Sequence, residues 1–179
     1  MADGQRLWQH EHAPIWLRAA KLRGYVQNCP VPEWWNRMPA IACAEDWFDS
    51  RDDEEALHDT EYYRKTVVPD EQRMFKRDNA WASTVTAVEI LRDGPIQPFR
   101  VLSFGTARPL RHSLAGGDRL ELLHLRLTPP LSSVPLAVSA WAPTLDAATG
   151  LAESLGGFAF VASPVPLLRP PVAPWTPAA

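Results

Sequence analysis

Cysteine is scarce in this chain of 179 residues: Cys29 and Cys43 are the only two. Two are too few for a disulfide framework, and their spacing does not suit a metal site. Long apolar runs are also missing, since no stretch approaches the roughly 20 residues that cross a bilayer. The opening Met1–Ala2–Asp3–Gly4–Gln5 lacks the basic region and apolar run of a secretory signal. A reducing cytoplasm is therefore the expected compartment. Clustered positive charge is absent too. The formal charge is −3, and scattered Lys and Arg do not make the basic surface that neutralises phosphates, which argues against nucleic acid. Gly-x-Ser-x-Gly, His-Glu-x-x-His and the Rossmann fingerprint do not occur, and Leu114–Ala115–Gly116–Gly117–Asp118 is a turn without phosphate-loop spacing. Ser103 and Ser113 have no base nearby in sequence. Nicotinamide, flavin and P-loop chemistry are disfavoured.

Tryptophan and proline are plentiful, with 8 Trp and 18 Pro. Proline concentrates towards the C-terminus and leaves little room there for long helices. The spacing predicts a helix over 4–20, with Leu7, Trp8, His12, Ile15, Trp16 and Ala19 on one face. Pro14 should kink or restart it near 10–13. Strands are expected at 22–28 and 41–48, followed by a helical region capped by Ser50 and running with a break near Pro69 to about Phe75. Arg73–Lys76–Arg77 reads as its basic end. Residues 83–91 are β-branched and read as a strand. The second half reads as strands at 99–108, 119–128 and 136–143, a helix at 146–155 with Asp146 near its N-cap and Gly156–Gly157 beyond, and a last strand at 158–165. The order is α–β–β–α–β and then β–β–β–α–β, with a loop where a first helix would stand, so the halves read as copies of one unit. The expected divisions are 1–96, 97–168 and a proline-rich tail, 169–179.

Within this frame His12 is the first candidate for chemistry. Trp8 and Trp16 stand four residues to either side on the same stripe. Apolar walls favour a neutral imidazole, which can accept a proton. The other reading is a core histidine satisfied by a backbone carbonyl or by Asp49. Asp49 either orients His12 or helps cap the acidic helix. His10 cannot share the face of His12, and the pair lacks the i, i+4 spacing of a helical metal site, so no metal is expected. Tyr25, Trp47, Tyr62, Tyr63 and Phe75 are either a cavity lining for a flat aromatic ligand or ordinary core. Tyr25 is the phenol placed to hold a carbonyl or phenolate oxygen near His12. Trp34–Trp35 reads as a lid, a subunit contact or plain packing, and His124 faces a cavity or solvent.

These pieces carry a resemblance. Trp8–Gln9–His10–Glu11–His12–Ala13–Pro14, Leu22–Arg23–Gly24–Tyr25–Val26–Gln27, Trp47–Phe48–Asp49–Ser50, Tyr62–Tyr63, Asp70–Glu71 and Phe75, with the strand up to Glu89, resemble the EthD family over about residues 5–92. The resemblance implies an α+β fold, a ferredoxin-like dimeric α+β barrel, closed as a tandem pseudo-dimer within the chain or as a homodimer. The family unit begins with a strand before the histidine helix, and residues 99–104 or 120–125 are candidates for that slot. It further implies a protein working without metal or organic cofactor. On that basis the expectation is an enzyme, of cyclase, isomerase, lyase or cofactor-free monooxygenase type. It would act by acid/base chemistry on an aromatic or polyketide-type intermediate, with His12, Tyr25 and Asp49 catalytic and Trp8, Trp16, Trp35, Trp47, Tyr62 and Phe75 holding the ligand. The alternatives are a non-catalytic binding or accessory protein, and a structural subunit whose aromatic surface meets a partner.

Overall fold

The computed structural model describes residues 2–37, 43–75, 80, 82–105, 118–126, 136–155 and 158–168. Lys76–Arg77, Ser113, the turn at 114–117, Gly156–Gly157, the outer ends of several expected strands and the tail lie outside them. The fold is α+β, and the chain divides into two compact units. The first comprises Met1–Cys29, Pro39–Ala80 and Val165–Ala179, and the second Pro30–Met38 and Trp81–Pro164.

In the first unit, α1 (Ala2–Leu7) runs into a π-helical turn (Trp8–His12) and then α2 (Ala13–Trp16). The kink expected at Pro14 is replaced by this wide turn. Leu7, His12 and Ala13 all keep right-handed helical angles, and the Ala13 N–H donates to the Trp8 carbonyl five residues back. Proline lacks an N–H and its ring presses on the carbonyl four residues earlier, so a widened turn lets the helix continue through it. The same arrangement recurs beyond α3 (Arg51–His58). There a π-helical turn (Tyr63–Val67) precedes α4 (Val68–Met74), Pro69 stands at the start of α4, and the Val68 N–H donates to the Tyr63 carbonyl. Ser50 caps α3 as expected, its Oγ accepting from the Asp53 N–H at 3.1 Å.

Strands β1 (Gly24–Pro30) and β2 (Cys43–Trp47) pair antiparallel, with Tyr25 opposite Asp46 and Gln27 opposite Ala44. Alternation therefore puts Tyr25, Gln27 and Asp46 on one face, and Val26, Asn28 and Glu45 on the other. A core of Ala13, Trp16, Ala19, Tyr25, Leu57 and Val67 takes in Tyr62 and Tyr63, and Leu167 and Leu168 at the end of β7 (Phe158–Leu168).

The second unit holds β3 (Val85–Arg92), β4 (Phe99–Phe104), β5 (Arg119–Leu125), β6 (Leu136–Ala142), α5 (Leu145–Leu155) and the first part of β7. Strand β4 lies between β7 and β6, β5 follows β6, and β3 pairs with the outer side of β5, all antiparallel. Thr144 and not Asp146 caps α5: its Oγ1 accepts from the Ala147 N–H at 3.2 Å. Neither stretch proposed for the missing first strand takes that slot. Residues 99–104 are committed to β6 and β7, and 120–125 to β6 and β3.

One face of this sheet buries charge. Arg100 and Arg119 both stand opposite Trp141, and Glu121 stands opposite Ser139. Arg119 Nε donates to Glu121 Oε1 at 2.7 Å, Arg100 Nε to Ser139 Oγ at 2.9 Å, and the Arg100 guanidinium lies 5.0 Å from the Trp141 ring centre. Towards its edge the same face turns apolar. Val85, Val88 and Ile90 of β3 register against Leu125, Leu123 and Glu121 and are about half exposed, at 45%, 53% and 49%.

Candidate functional site

The π-helical turn ends at His12 and α4 begins two residues before Asp70. These two residues meet. His12 Nδ1 lies 2.7 Å from Asp70 Oδ2, with both side chains buried. Asp70 Oδ1 accepts from Arg73 at 2.9 Å, and Arg73 also reaches Glu11 at 3.1 Å. Burial pushes the Asp70 carboxyl up, but the hydrogen bonds from Arg73 and His12 outweigh it and leave it below the ordinary value. An ionised Asp70 accepts only, so the shared proton belongs on Nδ1, and in the neutral ring the lone pair is then on Nε2. An imidazole held in this way can act as an oriented base.

Aromatic rings frame it. The Trp16 ring stacks at 6.3 Å and 16°, and Phe75 meets it edge-on at 5.6 Å and 86°. Trp16 in turn touches Tyr25 at 6.5 Å and Tyr63 at 6.1 Å. Its indole Nε1 donates to Asp46 Oδ1 at 2.6 Å. Asp46 is open to solvent on an edge strand, yet its carboxyl is raised to about 7. Loss of hydration is the largest cause, and Glu45, Glu54 and Glu71 add to it.

The other expected residues divide. Trp16 and Phe75 stand directly against His12. Tyr25 contacts Trp16, and its hydroxyl accepts from Gln27 Nε2 at 2.9 Å. Burial pushes the Tyr25 phenol well above its usual range, so it stays protonated. Trp8 is buried in the helix, and its carbonyl accepts from Gln27 at 3.2 Å. Tyr62 packs in the core and donates to the Ile15 carbonyl at 2.8 Å. Trp47 alternates to the face opposite Asp46. Trp35 belongs to a 3-10 turn (Pro32–Arg37) of the second unit and donates to the Pro30 carbonyl at 3.0 Å.

Asp49 does not orient His12. It is exposed and bound to Arg23 at 2.6 Å. The carboxylate on His12 is Asp70, and sequence reading assigned it only to a helix start. The Asp70–Glu71 pair and the edge-strand Asp46 carry no local signal of a partner 58 or 30 residues away. Among the described residues, no group of three His, Cys, Asp or Glu side chains is placed to hold a metal ion. No helix among them is long and apolar enough to cross a membrane.

No curated protein and no solved structure matches the chain. A family model does. It stops short of β3, which pairs in the second unit, and it spans all the side chains around His12 described above, from Trp8 to Phe75. Residues 2–78 match the family model of the EthD domain, and that stretch is similar to the family.

Proposed function

We propose that the first unit is a cofactor-independent acid/base catalyst acting on a flat aromatic or polyketide-type intermediate, by enolisation, cyclisation or loss of water. The observation that carries this reading is the buried 2.7 Å contact between His12 Nδ1 and Asp70 Oδ2, which leaves Nε2 as the one proton-accepting atom of the ring. Trp16 and Phe75 supply the stacking and edge contacts a flat ligand needs. Holding a reactive polyketone in one folded shape beside that atom would supply part of the acceleration. The reading extends to the second unit. The order β7–β4–β6–β5, with α5 between β6 and β7, supports reading it as a ferredoxin-like unit with β4 as first strand. This favours residues 97–168 as a second copy of the motif and the tandem pseudo-dimer over a homodimer.

The test has two parts. Native mass spectrometry of the protein from its own host, followed by denaturing extraction, should yield a bound aromatic compound. With that compound, His12→Ala should lower turnover about 100-fold or more while affinity, followed by Trp fluorescence, stays within about threefold. Unchanged turnover, or none in the wild type, would overturn the catalytic reading in favour of a carrier.

A further inference from the structure

At the N–H edge of the Trp16 ring, whose face stacks on His12, stands a second group able to move a proton. Register puts Asp46 opposite Tyr25 on the face of β1 and β2 that meets Trp16. Trp16 contacts the imidazole through its ring and the carboxyl through its N–H. One side chain thus fixes the spacing of both groups. The Trp16 N–H occupies Oδ1 of Asp46, which is an exposed residue of β2.

Building on the reading of His12 as a base, we propose that Asp46 is the proton-donating partner of His12, and that the site takes β-hydroxy ketones and related aromatic precursors that lose water. His12 Nε2 removes the proton from the carbon beside the carbonyl. The freed electron pair forms the C=C bond as the C–O bond of the neighbouring hydroxyl breaks. The oxygen leaves as water, carrying the proton from Asp46. The imidazolium then returns its proton to the carboxylate through solvent, so the balance is hydroxy ketone to enone and water, with no oxidant or reductant. The groups acting on Asp46 agree with a donor. Glu45, Glu54 and Glu71 act on it with negative charge, Tyr25 opposite it is neutral, and Trp16 is its hydrogen-bond donor. A carboxyl raised to about 7 still holds much of its proton at neutral pH.

Two probes separate the base from the acid. Both 1,2-benzisoxazole and its 5-nitro derivative open when a base removes the ring C–H and the N–O bond breaks to a phenolate. The unsubstituted ring gives the more basic phenolate and depends more on a proton donor. His12→Ala should cost about 100-fold on both probes. Asp46→Asn, which keeps an acceptor for Trp16, should cost the unsubstituted probe at least about ten times more than the nitro probe, within the span expected for general acid help. Infrared spectra should show a protonated carboxyl band titrating near 7 in the wild type and missing from Asp46→Asn. Equal losses on the two probes, or no such band, would overturn the role of Asp46 and leave His12 as base. An unaffected His12→Ala, or a wild type no faster than buffer, would overturn both.

Discussion

Asp70 Oδ2 and His12 Nδ1 lie 2.7 Å apart although 58 residues separate them in the chain. The contact ties the helical segment at the start of the EthD-like stretch to α4 near its end. Both side chains are buried, so neither can turn to water if its partner is lost. Asp70→Ala should therefore destabilise the protein by about 1.5–3 kcal/mol, the span for hydrogen bonds to a charged group, as read from urea midpoints. Asp70→Asn should cost less stability but remove the preference for a proton on Nδ1. A stability unchanged in both variants would mean that the pair is not formed in solution.

Acid and base should act on the fold through different carboxyls. The Asp46 carboxyl is raised from 3.8 to about 7, so the folded state holds its proton more tightly than the unfolded chain. Its contribution is full below 3.8 and is lost as pH rises through 7. Asp70 runs the other way: it is lowered from 3.8, so its contribution is present above that value and disappears as pH falls through its folded one. Asp46→Asn should flatten the stability profile between about pH 4 and 7, and Asp70→Asn should flatten the acid limb alone.

Charge buried in the second unit makes Glu121 a sensitive position. It accepts from Arg119 at 2.7 Å and approaches Arg100 at 4.0 Å. Glu121→Ala would leave both guanidinium groups buried without it, at about 3–5 kcal/mol. Thermal unfolding would show this, and an Arg119→Met, Glu121→Leu double variant should recover much of the loss.

Gly94 has no room for a side chain. A Cβ there would stand 2.0 Å from the Asp118 carbonyl oxygen. Gly94→Ala must move one backbone away from the other, and should cost about 1–3 kcal/mol in the same measurement.

Much of this was legible in the sequence. The stripe of Trp8, His12 and Trp16 marked the buried face of the first helix, and Ser50 marked the start of α3, because both signals lie within one or two turns of chain. The strands of the second half were legible from their β-branched and apolar runs. The hidden features depend on distance. Which carboxylate meets His12 is decided by how α4 packs, and a local reading chose the nearer Asp49, which Arg23 holds at the surface. Alternation alone does not say which face of β2 turns inward, and only the register with Tyr25 places Asp46 beside Trp16. The wide turns were hidden for another reason: proline signals a break, and nothing local tells a break from a five-residue turn.

Those turns make helix length a functional variable. In an ordinary helix one residue corresponds to about 100° of rotation. The chain carries an additional residue just ahead of Pro14 and again ahead of Pro69, and each sets the azimuth of the helical residues beyond it. Shortening either turn by one residue would swing His12 or Asp70 out of reach of the other while leaving composition almost unchanged. The dyad is thus a matter of phase as much as of chemistry, and the two prolines hold that phase by making a regular turn the costlier path.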